Sequence, residues 1–329
     1  MSYISFYIFA FLLNFIFAFA KYVPSAKFGH IASSSNYAPS ARFGHIAVLA
    51  DKKLYFHGGS NGVNHTNDFF YLDVSQDFSI TDLPWNNLPF PGTPRNHQAS
   101  ACKGGKNDDL IFIFGGNVPE KSFSCVNFNN RSITIFAGDN HDKKNDLWIF
   151  DSFKLTWDIS DAPNAPQDII MGYSAITLPC ETILYLGGKY TSNGGLAPMG
   201  ILSLYDTVNN NWKILSTSGP TPPSLYYFSA VLTSDRRIIM FGGIGEDASS
   251  LGDLWILDSE TYEWSAGNIS NPNDLTIYSH TATLVDNYMI VAFGKNLVLT
   301  IANPITPLVI STSITTTIAM STYHQQYIC

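Results

Sequence analysis

Five apolar runs in this chain stop in the same way. KKLYFHGG closes on Gly58 and Gly59, DLIFIFGG on Gly115 and Gly116, TILYLGG on Gly187 and Gly188, RIIMFGG on Gly242 and Gly243, and a worn YMIVAFGK around Gly294. The first glycines lie 57, 72, 55 and 52 residues apart. A unit that returns about every fifty residues is one supersecondary element, which has to stack on its neighbours to bury its apolar faces.

The rest of the unit repeats as well. Ahead of the glycines stand FGHIAVL, NHQASAC, GYSAITL, YFSAVLT and SHTATLV, β-prone runs that place His45, His97, Tyr173, Phe228 and His280 in one shared slot. Behind them, NDFFYLD ends on Asp73, NDLWIFD on Asp151, ILSLYD on Asp206 and GDLWILD on Asp258. A tryptophan follows each: Trp85, Trp157, Trp212 and Trp264. Each unit therefore reads as a four-stranded meander. Paired glycines at a strand end let a neighbouring backbone approach where a side chain would clash, and the tryptophans supply plates that fill gaps between units.

In this order the Gly-Gly, the Asp-ended strand and the trailing Trp resemble the kelch repeat, from about Pro39 to Gly294. The resemblance implies an all-β kelch-type β-propeller, with four complete blades plus one partial blade, and leaves open whether the ring is whole or truncated from a larger one. The expected divisions are a signal peptide over 1–20, a leader over 21–38, the propeller over 39–296 with an insert at 118–138, and an uncharged Ser/Thr-rich tail over 297–329.

The leader contains PSAKFGHIA, from Pro24 to Ala32, a near copy of PSARFGHIA from Pro39 to Ala47. The second copy runs into KKLYFHGG at the repeat distance and is the first strand of the first blade. The first copy has no second strand to enter, and is expected to be a duplicated leader. The insert separates Gly116 from Asn145 by twenty-nine residues, where Gly59 to Asn67 takes eight. It reads either as a surface loop or as sequence foreign to the working protein, since deleting it restores the period. The tail is expected to supply whatever strands finish the ring.

Ile4 to Ala20 is almost wholly apolar and ends Ala18-Phe19-Ala20, the small-x-small pattern that precedes a signal-peptidase cut. A secreted or cell-surface protein is expected, with a membrane reached only through an uncleaved N-terminal segment or the C-terminal tail. Asn64, Asn130 and Asn268 head Asn-x-Ser/Thr triplets and are the glycosylation candidates. Four cysteines, Cys102, Cys125, Cys180 and Cys329, match no zinc spacing and leave three pairings open.

A formal charge of -8 without a basic cluster argues against nucleic acid as a partner. No nucleophile elbow, His-Glu-x-x-His or phosphate-cradling glycine loop occurs. The AGDNHD stretch, Ala137 to Asp142, lacks partner ligands at metal-binding spacing. Three histidines in the slot, on strands expected to face the axis, raise a metal site, but Tyr173 and Phe228 fill the same slot and favour a structural plug. Galactose oxidase, whose copper site is built on a kelch-type propeller, is the natural enzyme alternative. Its Cys, Tyr and His set cannot be matched here. The reading is a non-catalytic scaffold without cofactor or metal that binds a protein or glycan ligand through loops on a rigid ring.

Overall fold

In a computed structural model the described residues are 9–11, 15–21, 37–76, 83–89, 93–116, 125–128, 131–136, 146–168, 170–267, 275–296 and 308–311, and every regular element among them is a β-strand. The run before each glycine pair is the second strand of its sheet. It pairs antiparallel with the preceding strand on one side and with the Asp-ended strand on the other, so that Lys53 faces Asp73, Thr182 faces Asp206 and Arg237 faces Asp258. These second strands are buried at four successive residues, as at Ile183–Leu186 and Ile238–Phe241. A strand covered on both faces needs a continuous apolar run, and TILYL and RIIMF supply one. Outer strands alternate instead, as FFYLD does.

Six sheets result. The first blade is Ile46–Ala50, Lys53–His57, Phe69–Asp73 and Trp85–Asn87; the second has Ala99–Gly104 and Leu110–Gly115; the third is Cys125–Phe128, Ser132–Phe136, Leu147–Asp151 and Thr156–Ser160. The fourth is Ser174–Thr177, Thr182–Leu186, Ile201–Asp206 and Asn211–Ser216. The fifth is Ser229–Leu232, Arg237–Phe241, Leu254–Asp258 and Trp264–Ala266, and the sixth is Thr281–Val285, Tyr288–Ala292 and Leu308–Ser311. Their innermost strands touch in sequence order, and the sixth returns to touch the first, so the ring is closed.

The all-β propeller and its four complete four-stranded blades stand, but one of those blades is assembled differently from the sequence expectation. The described residues of 118–138 are not the loop or foreign text expected. Cys125–Phe128 and Ser132–Phe136 are the inner strands of the third blade, pairing with the Asp151 strand through Ser132–Phe136. The strands expected to form one blade around Gly115 and Asp151 are thus divided between two sheets. The physical reason is that CVNF and SITIF are β-prone apolar runs, and burying them as an antiparallel pair outweighs leaving them in water. The second blade is left with only its own inner hairpin, and Phe15–Lys21 and Phe9–Phe11 pair beside it in the order 99–104, 110–115, 15–21, 9–11. In the sixth blade, Leu308–Ser311 of the tail pairs with Tyr288–Val291. The first PSAKFGHIA copy lies outside the described residues.

The cores lie between blades, and each fourth-strand tryptophan reaches back onto the preceding one. Trp157 meets Phe114 at 5.8 Å, Trp212 meets Phe136 at 4.7 Å, and Trp85 meets Phe293 of the sixth blade at 6.0 Å between ring centroids. Trp264 is fully buried and donates its indole N–H to the Met199 carbonyl at 3.0 Å. Cys102 and Cys125 form a disulfide that ties the innermost strands of the second and third blades, and Cys180 is also disulfide-bonded.

Candidate functional site: the axis and its loop face

The glycine pairs are joints between blades. The amides of Gly59, Gly188, Gly243 and Gly294 donate to the carbonyls of Asn96, Leu225, Ile277 and Arg42, each on the approach to the next blade around the ring. At the first glycine of a pair a Cβ would sit 2.6 Å from the Asn96 oxygen at Gly58, 2.5 Å from that of Leu225 at Gly187 and 2.5 Å from that of Ile277 at Gly242. At the second it would press on the slot residue: His45 below Gly59, Tyr173 below Gly188, Phe228 below Gly243 and His280 below Gly294. Below Gly116 the residue is Ala99, so His97 is not in the slot. The sequence alignment was two residues out in the second blade because it matched His to His, whereas packing on the glycine sets the register. Gly115 ends its strand with φ +70°.

His45, His280 and Tyr173 bond across the joints, and with Phe228 they also line a cavity on the axis. His45 Nε2 shares a hydrogen bond with Thr281 Oγ1 of the preceding blade at 2.9 Å, His280 Nε2 shares one with Ser229 Oγ at 2.6 Å, and Tyr173 donates its hydroxyl to the Phe136 carbonyl. Burial pushes both imidazoles towards the neutral form. His280 is held at about 3, and His45 lies well below its ordinary value, with Arg42 and the other imidazoles adding to the effect. Among the described residues no three His, Cys, Asp or Glu side chains converge as a metal site.

The four aspartates cap the turns between third and fourth strands. Asp151, Asp206 and Asp258 each accept the backbone N–H groups two and three residues on, and Asp73 accepts that of Ser75. Arg131 beside Asp151 holds its carboxyl at about 2; Asn209 and Lys213 hold Asp206 well below the usual range. Asp-backbone bonding of this kind fixes a turn.

Around the axis runs a belt of backbone hydrogen bonds that the sequence did not announce. Gln98 N–H donates to Gly44 O, Gly44 to Ser279, Ser279 to Tyr227 and Tyr227 to Gly172. All five residues have φ between +50° and +65°. Across the belt, Gln98 Nε2 donates to Tyr227 Oη at 3.1 Å, joining opposite blades over an axial cavity of about 270 Å³ lined by Ala47, Ser100, Ala101, Ala175, Ala230 and Ala282. The seam between sixth and first blades is held by Arg42. Its buried guanidinium donates to Gly58 O and Asp68 and lies over the rings of Phe70 and Phe293. Arg42 was legible only as the one difference, Lys27 to Arg42, within the duplicated phrase.

Beside the seam the loop 61–67 and Arg95 enclose a second, polar cavity of about 300 Å³, with Arg42, Asn64 and His65 in its wall. His65 stacks on His97 at 4.8 Å, and partial burial lowers the half-buried His97 to about 4, with His65 adding to the effect. Asn64 is exposed on this loop; Asn130, Asn268 and the AGDNHD stretch lie outside the described residues.

Residues 172–298 match the family model described as the KLHDC2/KLHL20/DRC7 Kelch-repeats domain. Over that stretch the repeats match kelch repeats. Acyl-CoA-binding domain-containing protein 4 of Arabidopsis thaliana is 24% identical over 253 residues, 76% of this chain and 34% of that protein. Kelch domain-containing protein 2 of Bos taurus is 24% identical over 252 residues, 75% of this chain and 59% of that protein. The chain thus spans between a third and three-fifths of the length of these relatives. The solved structure of YjhT is similar over 78% of this chain and 74% of its own, at 14% identity and a TM-score of 0.46.

Proposed function

We propose that this kelch propeller is a non-catalytic scaffold of the secretory pathway or cell surface, which binds a protein or glycan ligand through the loop face beside the seam. The observation that carries this reading is where the reactive side chains are spent. The aspartates cap turns, and His45 and His280 hold joints, so the chemistry-bearing residues of the repeat build the ring. What the ring offers outward is the loop 61–67, with Val63 81% exposed at its tip above the polar cavity of Arg95 and His65. Loops held on a rigid frame are where recognition sits. The apolar run Ile4 to Ala20 and the exposed Asn64 sequon support passage through the secretory route.

A photo-crosslinking residue at Val63 is expected to capture one defined ligand at the cell surface, with capture lost in the His65→Ala, Arg95→Glu double variant. The same preparation, loaded with copper and dialysed, is expected to release no peroxide from a sugar alcohol. One tightly held copper per chain together with peroxide release overturns the non-catalytic reading in favour of an oxidase.

A further inference from the structure

The second blade is the weak point of the ring, and what fills it is drawn from the segment that the secretory route removes. Among the described residues the next strand after Gly116, Cys125–Phe128, belongs to the third blade, and none after Leu110–Gly115 joins the second. Instead Phe15–Lys21 pairs antiparallel with Leu110–Gly115, with Lys21 opposite Leu110, Ala20 opposite Ile111 and Ala18 opposite Ile113. Lys21 thereby holds the register position that Asp73, Asp151, Asp206 and Asp258 hold in other blades, each opposite the first residue of its second strand. A cut after Ala20 takes away all of this strand but its last residue, and leaves the outer edge of Leu110–Gly115 with unpaired backbone groups.

We propose that, on the secretory reading above, maturation opens a strand-acceptor slot in the second blade, and that the mature ring takes an extended segment of another protein there in antiparallel register. The slot has two apolar walls. On one side Tyr71 and Leu88 of the first blade, half-buried, pack in one cluster with Ile111 and Ile113; on the other Trp148 and Trp157 of the third, half-buried, pack in one cluster with Phe112 and Phe114. A strand between two such walls is covered on both faces, so the segment that fits is a continuous apolar run, not an alternating one. The chain's own FIFAFAK shows the type. Backbone pairing would supply the affinity and the aromatic walls the preference for large side chains.

The test compares secreted chain with chain made where signal processing does not occur, using a synthetic peptide of residues 15–21 between solubilising lysines. Expected: the secreted chain begins at Lys21 by intact mass, alternate amides of Leu110–Gly115 exchange rapidly, and the peptide slows them at least tenfold. The unprocessed chain should show those amides protected and no response to peptide. If the secreted chain begins at Lys21 but these amides are already protected, or ignore the peptide, the acceptor slot is overturned while the secretory reading stands. If the exported chain keeps residues 1–20 in place, the slot falls while the secretory reading stands; if the chain is not exported at all, the secretory reading falls and the slot with it. A mature chain that unfolds and is restored by the peptide supports the slot; one that is not restored counts against it.

Discussion

His45 and His280 are neutral imidazoles sealed between blades, and this gives the ring an acid sensitivity that its carboxylates do not explain alone. In the unfolded chain an imidazole takes up its proton near pH 6.5; folded His280 does so only at about 3. Between those values the unfolded state binds more protons, so stability is full above pH 6.5 and falls as the pH drops, by up to about 1.4 kcal/mol per pH unit for His280. Phe228 fills the same slot in the fifth blade, and the Ser229→Ala, His280→Phe double variant should copy that arrangement. Urea titrations at pH 7.5, 5.5 and 4.5 should show the variant losing less stability across the range than the parent. An identical slope in both would place the acid sensitivity elsewhere. The sequence showed that His45, Tyr173, Phe228 and His280 share a slot. It did not show that the slot opens on the joint, because the partners, Thr281 and Ser229, are ordinary hydroxyl residues of strands with no motif to mark them.

The same contrast holds for whole elements. Glycine pairs, Asp-ended strands and tryptophans were legible because each meets a steric or hydrogen-bonding demand that few residue types satisfy. Gly242 is a clear case: φ is +67°, and a Cβ would stand 2.5 Å from the Ile277 oxygen that accepts the Gly243 amide at 2.8 Å. Gly242→Ala should therefore cost about 2 kcal/mol or more through strain and a disturbed joint. Gly200→Ala is the control, since the nearest atom to its Cβ, Thr221 Cγ2, is 3.9 Å away, and it should change stability by less than about 1 kcal/mol. Equal thermal melts for the two variants would remove the joint from the account of the repeat. Where the demand is relaxed the element went unread. The third blade carries Ala137-Gly138 where the first, second, fourth and fifth carry Gly-Gly, so Cys125–Phe128 and Ser132–Phe136 looked like an insertion. In the second blade Ala99 fills the slot, and His97 two residues earlier drew the alignment off register.

A ring is as stable as its least complete blade, since each blade is covered by its two neighbours and has no core of its own. Period and motif order conveyed that the blades form a circle. How the circle closes depends on Arg42, on the Gln98–Tyr227 bridge and on strands borrowed from the termini, and none of these repeats, so a search for repeats passes over them. The seam is fixed from both sides: Gly44 N–H donates to Ser279 O, Gly294 N–H to Arg42 O, and His45 bonds Thr281. The sixth blade that bears on this seam has two strands of its own and takes its third, Leu308–Ser311, from the tail. Ending the chain at Lys295 leaves the Tyr288–Ala292 strand as an open edge while the seam contacts of Gly294 and Ser279 remain. The shortened chain should keep its β-rich circular dichroism and melt several degrees lower, as a loss of about 2 kcal/mol implies for a chain of this size. Hydrogen exchange should rise at Tyr288–Ala292 and stay unchanged at Arg237–Phe241, one blade away. An unaltered melt, with unaltered exchange at Tyr288–Ala292, would show that the tail strand contributes nothing and that the Arg42 seam closes the ring unaided.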